Sequence, residues 1–198
     1  MTVLFSANSL SHTIDGNDIF TDISFEIQTG TIAEIRGGNG SGKSSLLKIL
    51  CGLIKSNSLN TQQVVWGDIS YLGHSNAMVE ELSFRQNFAI DGISIDKALA
   101  QRLNIFRLRN QKLNNLSYGE KRKIALQRTL QSGKKIWILD EPYAGLDDLS
   151  VATLESIFTE HVKEGGTIVV ANHQQIICLL YTSPSPRDQR GSRMPSSA

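Results

Sequence analysis

Residues 37–44 read Gly-Gly-Asn-Gly-Ser-Gly-Lys-Ser, a complete phosphate-binding P-loop. Gly37, Gly38, Gly40 and Gly42 let the backbone turn with its N–H groups facing inward. The turn opens a helix, whose N-terminus already favours anions. Lys43 can reach β- and γ-phosphates, and the Ser44 hydroxyl can ligate Mg²⁺. With Asn39, Ser41 and Ser45, this stretch is a cradle for a nucleoside triphosphate. Such chemistry requires a strand before the loop and a helix after it. Thr31–Arg36 is short and half apolar, as a strand would be, and Ser45–Leu50 is rich in helix formers.

Hydrolysis needs a metal-binding acid and a group that handles water. Ile136-Trp137-Ile138-Leu139-Asp140-Glu141-Pro142 is an apolar run ending in two acids and a proline. The run suits a parallel strand buried on both faces, and ligands in open α/β sheets bind at the carboxyl ends of strands. There Asp140 can hold the Mg²⁺ shell, while Glu141 can orient or deprotonate the attacking water. A second apolar run, Thr167–Ala171, ends in Asn172-His173, and His173 can donate a hydrogen bond to the γ-phosphate.

A third string completes the set. Leu116-Ser117-Tyr118-Gly119-Glu120 precedes Lys121–Leu130, which has helical character with Ile124, Leu126 and Leu130 among its apolar positions. A serine and a glycine opening a helix form a second anion site, and Glu120 sits at the favourable end of the helix dipole. The order of all three strings resembles the nucleotide-binding subunits of ATP-binding cassette (ABC) transporters over nearly all of residues 1–177. The resemblance implies ATP and Mg²⁺ as cofactors. It makes Gly37–Ser45 the ATP-binding loop and Ser44 and Asp140 the metal ligands. Glu141 and His173 become catalytic, and Ala144-Gly145-Leu146-Asp147 a D-loop. It also implies a head-to-tail homodimer, in which Ser117, Tyr118, Gly119 and Glu120 cap the ATP of the other copy.

Departures from the common pattern narrow the resemblance. Tyr71-Leu72-Gly73-His74 stands where most such subunits carry a glutamine facing Mg²⁺, which makes His74 a further candidate at the metal. That text, Asn172-His173-Gln174 and the short chain resemble the haem-exporter branch that serves cytochrome c maturation. Tyr118 replaces a small signature residue, and Glu120 replaces an amide that could donate. An acid near triphosphate costs on the order of 1 kcal/mol if solvated. Asn76–Phe88 reads as a core-facing helix, and the resemblance makes this region the contact for integral membrane permease subunits. His12 and Phe20 are the aromatic candidates against adenine, Phe20 reading rather as core.

The last 21 residues change character, carrying three of the four prolines. Back-translated, Cys178–Asp188 and Ser192–Ala198 resemble the constant blocks of a short-read sequencing adapter. Residues 178–198 are therefore expected to be an artefactual, disordered tail, with the native C-terminus lost after Ile177. A genomic copy reading through this junction with the same codons would refute that. The chain's formal charge is +1; the tail's three arginines against Asp188 supply +2, leaving −1 for residues 1–177. A near-neutral body gives no reason to expect nucleic acid as a partner. Cys51 is the one cysteine of that body, which fits a reducing compartment. No apolar run approaches 18–20 residues and no signal peptide opens the chain.

The expected architecture is α/β. It has a P-loop NTPase (ABC ATPase) core, an N-terminal antiparallel β-portion around residues 1–30 and a small helical subdomain near 76–130. The expected function is ATP hydrolysis driving a membrane complex from the cytoplasmic face of the inner membrane, with haem export as the first reading. Another small transporter ATPase, or a soluble assembly factor like those of iron–sulfur scaffolds, remains the alternative. Tyr118 and Glu120 also keep open a nucleotide-gated binding module with weak turnover.

Overall fold

Two long amphipathic strands begin the chain: β1 (Val3–Ile14) and β2 (Asn17–Gln28). They form an antiparallel hairpin through Asp15-Gly16, both in the left-handed region, as tight hairpin turns require. A two-residue strand, β4 (Leu59–Asn60), extends this sheet in the order β2-β1-β4. The structure, a computed structural model, describes residues 2–56, 58–61, 64–173 and 180–183.

The second sheet carries the chemistry. Its strands are β3 (Ile32–Gly37), β5 (Ile69–Leu72), β6 (Ile136–Asp140), β7 (Thr167–His173) and β8 (Leu180–Ser183), in the order β5-β6-β7-β3-β8. The first four run parallel, so their carboxyl ends share one edge. Register fixes the neighbours there: Gly37 lies opposite His173, Asp140 opposite Ala171, and Leu72 opposite Leu139. Asn172 Nδ2 also donates to Glu34 Oε1 at 2.6 Å, tying β7 to β3. Burial raises the Glu34 pKa, but hydrogen bonds from Arg36 and Asn172 outweigh it and hold the carboxyl below its ordinary value.

Every residue of β6 is buried. Trp137 and Leu139 pack into one core with Phe84, Phe88, Leu126 and Phe158. Ile136 and Ile138 enter the other with Phe5, Ile27, Leu46 and Leu50. The period-two alternation of the strand thus feeds two apolar layers, which is why the sequence reads as continuously apolar. Helix α1 (Lys43–Leu50) covers one face. Helix α5 (Asp148–Lys163), with its N-cap Asp147 accepting from the Ser150 N–H, covers the other. Between β5 and β6 lie three helices, α2 (Phe84–Ile90), α3 (Lys97–Arg102) and α4 (Tyr118–Leu130), which make the small helical portion.

One expectation is corrected. Helix α2 begins only at Phe84, not across Asn76–Phe88, because Ser83 and Gln86 form a capping box there. Asn87 then bonds both the N–H and the carbonyl of Val79, holding the preceding residues as a loop. Leu180–Ser183, expected within a disordered tail, pair antiparallel with β3. The free edge of β3 supplies unpaired backbone groups, and a Leu-Tyr-Thr text suits a strand. Residues 174–179 and 184–198 lie outside the described residues.

Candidate active site

The turn after β3 starts α1 at Gly42, whose φ of 85° is left-handed. A Cβ at this position would lie 2.7 Å from both Ile19 and Phe20 of β2. The hairpin is therefore pressed against the loop, and only glycine fits the join. Phe20 belongs to the core, as expected, whereas Ile19 faces the cavity beside the loop. His12 lies 5.8 Å from the Phe20 ring and does not line that cavity.

Lys43 is buried at the base of the loop, its Nζ donating to the Gly37 and Gly38 carbonyls at 2.8 Å each. The Ser41 hydroxyl is buried and without a partner. Ser44 Oγ donates to Asp140 Oδ2 at 2.7 Å, joining the first turn of α1 to the end of β6. Asp140 is buried, and its second oxygen, Oδ1, has no hydrogen-bond partner. An orphaned carboxylate oxygen beside a hydroxyl suits a hard, oxygen-seeking cation. Among the described residues no cluster of three acids, histidines or cysteines could hold a metal unaided. Ser44 and Asp140 fit Mg²⁺.

Glu141 follows with φ 52°, a left-handed conformation that is costly for a non-glycine residue. Its N–H donates to the Ala171 carbonyl at 2.9 Å, and Oε2 lies 3.6 Å from His74 Nδ1. Both side chains line a cavity of about 420 Å³ whose remaining wall is Ile19 and Asn39–Ser45. The structure therefore brings His74, Asp140 and Glu141 to the glycine-rich cradle. His173 closes β7 opposite Gly37, and its side chain lies outside the described residues.

One member of this site escaped sequence reasoning. Arg122, on α4, is fully buried. Its Nη1 donates to the Gly73 carbonyl at 3.0 Å and to Asn76 Oδ1 at 2.9 Å. Its Nη2 donates to the carbonyls of Asp140 and Glu141. Burial lowers its pKa, while Tyr118, Asp140 and Glu141 oppose that shift. One guanidinium thus ties the segment after β5, the strained end of β6 and α4 together. Its spacing of four from Leu126 and eight from Leu130 was the available signal, hidden by the charged run Lys121-Arg122-Lys123. Arg122→Met leaves three backbone carbonyls short of a buried donor. We expect a loss of about 3 kcal/mol or more in urea unfolding; an unchanged midpoint would contradict this role.

The segment expected to form a second anion site stands apart from the P-loop. Ser117 caps α4 in a capping box with Glu120, and no residue of Ser117–Glu120 lines the P-loop cavity. Gly119 packs on the D-loop: a Cβ there would meet the Gly145 carbonyl oxygen at 2.2 Å. The Tyr118 ring covers Gly145, whose own added Cβ would meet it at 2.5 Å, and remains half exposed. The tyrosine of the signature is therefore accommodated against the D-loop of its own chain.

Mixed sheet, P-loop and inserted helical portion together define a class, and the ABC transporter family matches residues 20–144. The chain belongs to that family. It is 36% identical to the cytochrome c biogenesis ATP-binding export protein CcmA of Brucella abortus (strain 2308), over 84% of each chain. The protein of that name from Colwellia psychrerythraea (strain 34H) is 32% identical, over 90% of this chain and 89% of its own. In fold the chain is similar to an ATP-binding subunit of an ABC transporter, with a TM-score of 0.74 at 21% identity. That likeness covers 86% of this chain and 79% of the other.

Proposed function

We propose that this chain is the ATP-hydrolysing subunit of an export complex serving cytochrome c biogenesis, with haem handling as the work it energises. The observation that supports the chemistry most is the Ser44–Asp140 hydrogen bond facing the His74–Glu141 pair across one cradle. The curated relatives named above support the biological setting.

In this reading the N–H groups of Gly38–Ser44 receive the phosphates, and Lys43 turns from its two carbonyl partners to the β- and γ-phosphates. Ser44 and Asp140 would hold Mg²⁺, which when bound neutralises phosphate charge. Glu141 orients water for in-line attack and takes its proton on a carboxylate oxygen; His74 lies beside it to fix its rotamer. His173 remains the candidate donor to the γ-phosphate. Ser117, Tyr118, Gly119 and Glu120 of a second copy close the site. Self-complementary faces in a two-fold dimer give two such sites at once.

Membrane permease subunits would dock beside α2, on the cytoplasmic face of the inner membrane. Val79 is exposed in the Asn76–Phe88 region, between Met78 and Glu80, which help to line a cavity of about 320 Å³. No helix among the described residues is long and apolar enough to cross a membrane, so anchoring would come from those partners. Co-purification from solubilised membranes tests this assignment. Multi-span proteins retained with the chain are expected; soluble scaffold proteins alone would replace the assignment with an assembly factor.

A further inference from the structure

The signature segment carries a carboxylate where an incoming triphosphate must approach, and the chain holds a specific answer to it. Arg107 lies in a short turn at Phe106–Leu108, between α3 and α4. Its Nη2 donates to Glu120 Oε1 at 2.8 Å. The other carboxylate oxygen, Oε2, accepts from the Ser117 N–H at 3.1 Å and from the Ser117 hydroxyl at 3.2 Å. Ser117 Oγ in turn accepts from the Glu120 N–H. The hydroxyl proton that a phosphate oxygen would receive is thus spent on Glu120.

We propose that Arg107 is a positioning residue of the second anion site: it neutralises Glu120 and holds it so that Ser117 can turn its hydroxyl to the γ-phosphate. This rests on the reading of a dimer in which each signature segment closes the other copy's ATP. Glu120 carries a full negative charge. Burial raises its pKa, but hydrogen bonds from the Ser117 backbone and hydroxyl, and from Arg107, more than offset this. An unmodified carboxylate would repel the γ-phosphate and compete for the same hydroxyl proton. With Arg107 in place, the segment presents Ser117, the backbone N–H groups of α4 and a neutral ion pair. Arg107 is largely exposed while Glu120 is half-buried, so the guanidinium is free to stay on Glu120 through closure. This also answers what the replacement of an amide by an acid costs here: the charge is cancelled from a separate turn, 13 residues away.

A double-mutant cycle on the full chain separates this from a plain structural role. ATP-dependent dimer formation would be followed by light scattering, with urea midpoints recorded for every variant. Arg107→Gln is expected to raise the ATP concentration for half-maximal dimer roughly tenfold, as loss of a charge-assisted hydrogen bond beside a phosphate should. In a Glu120→Gln background the same substitution should change it by less than about twofold, since no charge is left to cancel. Arg107→Lys should restore most of the loss in the original background. An equal loss in both backgrounds, or none in either, overturns the role of the pair alone. Failure of the unsubstituted chain to dimerise with ATP overturns the dimer reading, and the pair with it.

Discussion

Glu141→Gln is expected to lower ATP turnover by roughly 10²- to 10⁴-fold, the usual contribution of a positioned proton acceptor. ATP binding should survive, because the substitution leaves Lys43 and the Ser44–Asp140 pair of the cradle in place. The amide keeps the size and the 3.6 Å neighbourhood of His74 but cannot accept a proton. A chain that binds but does not cleave should accumulate as an ATP-bound dimer, visible as a doubled mass on size exclusion. Backbone conformation argues for the same assignment. Glu141 is held at φ 52° by its N–H bond to Ala171 and by Arg122 on its carbonyl. A structure maintains such strain where a side chain must be aimed. Turnover at the original rate in this variant would remove Glu141 from its role.

Lys43→Ala has the second large effect, on binding rather than on chemistry. The ammonium group is buried and anchored by two carbonyls at 2.8 Å, and among the described residues no other lysine lines the cradle. Removing it takes from the cradle the ammonium group that faces the β- and γ-phosphates, a loss that backbone N–H groups and bound Mg²⁺ do not make good. We expect ATP affinity to fall at least roughly 100-fold, given two or more charge-assisted hydrogen bonds lost. Fluorescent-nucleotide titration measures this directly. The helix itself should persist, since alanine suits its first turn. An affinity within twofold of the original would mean that the nucleotide binds elsewhere.

What the residues disclose in advance follows the range of each interaction. The P-loop, the strand ending at Asp140 and the helix opening at Ser117 are local strings, in which a few adjacent residue types declare both structure and chemistry. Their strands and helices fall within three residues of the expected bounds, the helix after Ser117 starting at Tyr118 rather than Lys121. Contacts that span the chain are a different matter. Arg122 reaches carbonyls 18 and 49 residues away, and Gly119 needs its missing side chain because of Gly145. Neither requirement leaves a mark beside the residue that meets it. The region before α2 failed for a related reason. Leu82, Phe84 and Phe88 look helical together, yet the capping box at Ser83 starts the helix between them.

The most direct test of the account is complementation between two crippled chains. Lys43→Ala chains lack a cradle but keep Ser117; Ser117→Arg chains lack a usable signature but keep Lys43. Each alone should hydrolyse almost no ATP. Mixed in equal amounts, they should regain up to roughly a quarter of the original rate. Half of the randomly paired dimers then contain one complete site, built across two copies. Activity that stays at the level of the separate variants, however they are mixed, would contradict a site shared between chains.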